Sequence, residues 1–126
     1  MQKDIINILI SGFAVLLLDS VFLTFNKKMF EKQVFDIQKS KLELNLLGVI
    51  PCYIFIIGAL NYFIISKKSS LFDAFLLGAI INGVFETTTI SVFKEWQIST
   101  VFIDTIWGGV LFALATYFTY TAQKYL

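Results

Sequence analysis

Four stretches of this chain, roughly residues 5–25, 42–65, 71–93 and 99–121, are nearly free of charge, and each is long enough to cross a bilayer. A spanning helix needs about 20 mostly apolar residues. In lipid only helices or closed barrels satisfy their own backbone, and runs of this length exceed a barrel strand. The chain therefore reads as an all-α membrane protein, a single domain over residues 1–126 built as an antiparallel bundle of four transmembrane helices. Composition agrees, since 57% of the residues are hydrophobic and 15% charged, against about a quarter charged in a soluble domain. The first run follows Lys3 as a signal peptide would, but it is too long, contains Asp19 and lacks a small-residue cleavage site, so it reads as a retained span.

The connections add detail. Residues 26–41 carry five lysines, Glu31 and Asp36, with Met29, Phe30, Val34, Phe35 and Ile37 interleaved at helical spacings. That pattern predicts a short amphipathic segment lying on the membrane surface, with Phe30, Val34 and Phe35 toward the acyl boundary. The links at 66–70 and 94–98 are short, so the second, third and fourth spans are expected to form an up-down set of neighbours. Lys27, Lys28, Lys32, Lys39, Lys41 and Lys94 lie on one side, and Lys3, Lys67, Lys68 and Lys124 on the other. The positive-inside rule then favours a cytoplasmic location for the first and third connections.

Several functions lose support at once. The sequence has no His, which removes the commonest metal ligand and general base. Its one Cys, Cys52, builds neither an internal disulfide nor a thiolate metal site. A net charge of +1 and the lack of any nucleic-acid module leave the lipid bilayer as the expected partner, with a homo-oligomer as the form that would give a small chain a path between protomers. No metal site and no cofactor motif stands out, and an enzyme is the less favoured class.

Three acids interrupt the spans: Asp19, Glu86 and Asp104. Charge inside a bilayer costs about 2.5–3.5 kcal/mol on insertion scales, so such residues usually face the bundle interior and usually matter. At about 1.5 Å per residue, all three lie roughly 8–10 Å below the same surface. Ala74, Gly78, Asn82 and Glu86 recur every four residues, forming one small and polar stripe on the third span. Asp104, Gly108, Leu111, Ala115 and Thr119 do the same on the fourth, and Ser11, Gly12, Val15 and Asp19 on the first. Gly48, Cys52, Phe55 and Ala59 are the expected small face of the second. Asn82, Thr89 and Trp107 complete the candidate polar site, with Lys27, Lys28 or Lys94 as cations able to reach down to it. Trp96 reads as an interface anchor, and Tyr117, Tyr120 and Tyr125 as the belt at the opposite interface.

The acids sit in three spaced motifs: Asp19-Ser20-Val21-Phe22-Leu23, then Phe85-Glu86-Thr87-Thr88-Thr89 with Phe93-Lys94-Glu95-Trp96, then Asp104-Thr105-Ile106-Trp107-Gly108. Together these resemble a membrane protein family catalogued as a domain of unknown function, number 2177. Its pattern has an aromatic-acid-x-Thr-Asn run, a Lys-x-Trp-Pro run, and an Asp separated by two residues from Trp-Gly. This chain departs at Glu86, where the family has Asp, at Thr89, where it has Asn, and at Gln97, where it has Pro. The resemblance implies four spans and the polar cluster, and implies no function.

Three functional classes fit the residues. The first is a small proton-coupled or cation-linked transporter using the carboxylate cluster. The second is a lipid-modifying enzyme or its accessory subunit, with the carboxylates doing acid-base work. The third is a structural or assembly protein whose acids lock helices together.

Overall fold

The apolar runs form helices whose ends are set by local capping. A computed structural model of the chain describes residues 2–126. In it α1 covers Gln2–Phe25, α2 Lys27–Gln38, α3 Leu46–Leu60, α4 Leu71–Val92 and α5 Ile98–Gln123. α3 continues without a break into a π-helical turn, Asn61–Ile65, where the Ser66 N–H reaches the Asn61 carbonyl at 2.9 Å. With that turn counted into α3, the four helices other than α2 are long and apolar enough to cross a membrane. The second of these begins at Leu46, four residues later than expected. The Asn45 side chain accepts from the Leu47 N–H at 3.0 Å and fixes the helix start there, leaving Leu42 to Leu44 in a non-helical link. Ser70 caps α4 in the same way through the Asp73 N–H. The amphipathic segment forms α2 and stops at Lys39, whose φ of 59° is a left-handed cap with its N–H bonded to the Phe35 carbonyl.

Helices in lipid gain little from apolarity alone and pack where small residues let backbones approach. α4 and α5 are the closest pair. A Cβ on Gly78 would land on the Gly108 carbonyl, one on Gly108 would meet the Asn82 amide, and one on Gly109 would meet the Phe75 ring within 2.6 Å. α1 lies on the other side of α5, and α3 rests on α1 with only its π turn reaching α5. The lateral order is therefore α3, α1, α5, α4. This corrects the expectation that the second, third and fourth spans are successive neighbours: α4 and α5 are, but α3 and α4 scarcely touch. Tyr120 of α5 occupies the space beneath the 66–70 link and donates to the Ser69 carbonyl at 2.8 Å, so the link crosses over the end of α5. The neighbours in this order run antiparallel: Ser11 meets Asn61 while Asp19 meets Tyr53, Asn7 meets Gln123 while Asp19 meets Trp107, and Gly78 meets Gly108 while Asn82 meets Asp104.

The core is thin and the outside apolar. Val15, Leu60, Ile65, Ala74, Phe112 and Ala115 are buried at its centre. Leu47 is 86% exposed, Phe55 76% and Phe13 69%, a surface suited to acyl chains and not to water. The stripes on α1, α4 and α5 face inward: Ser11, Gly12 and Val15, then Ala74, Gly78 and Glu86, then Gly108, Leu111, Ala115 and Thr119 are all buried. The small face expected on α3 is turned outward instead. Gly48, Cys52 and Phe55 are exposed and Ala59 is half-buried, a Cβ on Gly48 or Gly58 would meet nothing, and α3 packs through Tyr53, Ile56, Ile57 and Leu60. Bulky side chains pack as well as small ones where the neighbour offers a hollow, here around Gly12 of α1, which faces Ile57.

Candidate functional site

Asp19 precedes the last residue of α1, Phe25, by six positions; Glu86 precedes Val92 of α4 by six; Asp104 follows Ile98 of α5 by six. Six residues of helix rise about 9 Å, so the three carboxylates occupy one level below the ends that α2 and the α4–α5 link cover. They do not gather into a single cage: among the described residues no group of three acids is placed to hold a metal ion. They form two arrangements instead.

The first centres on Asp19. Its Oδ2 accepts from the Tyr53 hydroxyl of α3, and its Oδ1 accepts from the Trp107 indole N–H of α5 at 2.9 Å. Trp107 stacks on Phe22, one turn beyond Asp19, with ring centroids 4.7 Å apart and planes 1° from parallel. Phe22 in turn meets Phe30 of α2 edge-on at 6.2 Å. Three helices thus converge on one carboxylate, and an aromatic file connects it to the surface helix.

The second is Glu86 with Asp104. Glu86 has no exposed surface. Its Oε1 accepts from the Trp96 indole N–H at 2.8 Å, and its Oε2 is buried with no donor. The Asp104 carboxyl of α5 lies beside it, with Asp19 the next acid in range. Asn82, one turn from Glu86, donates to the Asp104 backbone carbonyl at 3.0 Å, which ties the two helices together without touching either carboxyl.

Other residues lie elsewhere. Thr89 returns its hydroxyl to the Phe85 carbonyl of its own helix at 2.8 Å, the usual retreat of a threonine with no better acceptor. No lysine reaches the acids; the one ion pair among the described residues is Lys32–Asp36, on the outer face of α2. Trp96, in the link between α4 and α5, turns its indole N–H in to Glu86. Two participants escaped the sequence reading. Tyr53 sits seven residues into α3, which starts at the same surface, so depth alone would have brought it to the acid level. Gln33 lies fully buried in the middle of α2, donating to the Thr100 hydroxyl and accepting from the Gln97 N–H at 2.9 Å. It thereby satisfies the first turn of α5, which has no side-chain cap of its own. The signal was a lone amide inside an otherwise apolar stripe.

Four helices long and apolar enough to cross a membrane, packed together with one short helix, define a multi-helix membrane protein. A family model described as predicted membrane protein (DUF2177) matches residues 5–121, and the chain belongs to that family. No curated protein and no solved structure matches the chain.

Proposed function

We propose that this chain is a small proton-coupled carrier in which Glu86 and Asp104, held within the bilayer, are the proton-binding pair. The observation that carries the reading is the Glu86 carboxyl, wholly buried, with one oxygen lacking any donor and no cation in contact among the described residues, and a second carboxyl beside it. Two negative charges side by side in a desolvated layer are costly, and a single proton between them removes most of that cost. A site that is stable with one proton and strained without it suits reversible protonation. Asp19 differs: Tyr53 and Trp107 both donate to it, so each of its oxygens already has a partner and it stands outside the pair. Four helices enclose little room, so the transported species would move between protomers of a homo-oligomer.

The test is reconstitution into liposomes holding a pH-sensitive dye. An imposed proton or substrate gradient should produce internal pH changes with the native chain, and Glu86→Gln should abolish them while leaving the protein folded. Equal responses from both proteins would refute the proposal and leave the pair as a lock between α4 and α5. A response that follows sodium or potassium instead of protons would assign the pair to a cation.

A further inference from the structure

We propose that α2 and the link after it form a binding site for the headgroup of an anionic phospholipid. α2 leaves the end of α1 and returns to the start of α3, and Gln33 pins it onto the first turn of α5. Its outer face therefore lies at the level where the spanning helices end, which is where phosphate groups sit. Five lysines against Glu31 and Asp36 make residues 27–41 strongly positive. Lys28, Lys32 and Lys41 converge with Phe35 and Leu42 around one open depression of about 370 Å³, with Glu31 and Asp36 on its wall.

The two acids do not neutralise it. Lys32 and Asp36 pair at 3.4 Å with side chains 67% and 40% exposed, a geometry worth little in water. Lys28 and Lys41 have no carboxylate partner among the described residues. Lysine ammonium groups near a membrane surface are attracted to anionic lipids, and three of them around one hollow can surround a single phosphodiester. The apolar members point to a lipid and not to free phosphate. Phe35 is 52% exposed beside the lysines, and Leu44, Leu46 and Leu47 continue the apolar surface from Leu42 down the start of α3, all more than 60% exposed. A phosphate ion would gain nothing from them, whereas a diacyl lipid would lay a chain along them.

The experiment is thermal unfolding of the purified full chain in detergent, with added phosphatidylglycerol, phosphatidylcholine of the same acyl chains, or inorganic phosphate. A ligand that binds only the folded state raises the melting temperature. Phosphatidylglycerol should raise it by several degrees, an effect that salt weakens, and the other two should not. The triple replacement Lys28→Gln, Lys32→Gln and Lys41→Gln should remove the shift. Lys67→Gln with Lys68→Gln, at the other end of the bundle, should keep it. Lys41→Gln alone lies beyond α2 and leaves that helix intact, and it should already diminish the shift. Equal shifts with both lipids, an equal shift with inorganic phosphate, or a full shift in the triple variant would each overturn the proposal.

Discussion

Trp96 reaches back ten residues along the chain to donate its indole N–H to Glu86 at 2.8 Å, so the link between α4 and α5 is folded inward over a buried carboxyl. This is the only donor that Glu86 has among the described residues. Trp96→Phe keeps the ring and removes the donor. Leaving a buried acceptor unsatisfied costs about 1–3 kcal/mol, and the expected outcome is a loss of that size in stability. In a double-mutant cycle with Glu86→Gln the two effects should fall short of additive, as measured by unfolding in detergent or bicelles.

Asp19 should behave as a three-helix junction. Tyr53→Phe and Trp107→Phe each take away one of its two donors, and each should destabilise by about 1–3 kcal/mol. Trp107→Phe should cost more, because the stacking on Phe22 changes as well. If Tyr53→Phe proves neutral, the hydroxyl is not the partner that holds α3 to α1.

Gln33→Leu should free α2 without unfolding the bundle. The change strips the partner from the Gln97 N–H and from the Thr100 hydroxyl. Hydrogen exchange should then quicken across residues 27–38 and in the first turn of α5, while the amides around Gly78 and Gly108 stay protected. Uniform quickening along the chain would show that Gln33 supports more than the docking of α2.

Gly108→Ala should be among the most damaging single changes. The added methyl would strike the Gly78 backbone carbonyl, which cannot retreat without separating α4 from α5, and would push the Asn82 amide off the Asp104 carbonyl. Overpacking of this kind costs about 1–3 kcal/mol. Gly48→Ala, whose methyl would meet nothing within contact distance, is the matched control and should be silent.

Tags on the two ends should show equal protease access in sealed vesicles. Gln123 donates to Asn7 at 2.9 Å, which places the beginning of α1 beside the end of α5. Opposite accessibility would be incompatible with four crossings.

The sequence carried the spans, because length and apolarity suffice to mark them, and it carried the inward faces of α1, α4 and α5, because small and polar residues interrupt apolar runs there at helical intervals. It did not carry the face of α3. Both sides of that helix are apolar, so Gly48 and Cys52 looked like a packing surface while Tyr53, the residue that reaches Asp19, looked like one more aromatic. Thr89 stood close to Glu86 in the chain, but its hydroxyl has an acceptor in its own helix and needs no other. Gln33 was hidden for a related reason: an amide in a surface segment is ordinarily solvated, and only the tertiary position of α5 shows that it is a cap for another helix.

The lateral order α3, α1, α5, α4 also bears on how the protein is made. Among these helices α1 finds its main partner in α5, which is made well after it, and the Trp107 donor to Asp19 follows that acid by 88 residues. Until α5 arrives, Asp19 has only Tyr53, and Glu86 has only Trp96. Contacts so distant in the chain form late and leave unsatisfied polar groups exposed in the interval. A nascent chain halted before residue 98 would therefore hold two acids with their settings incomplete.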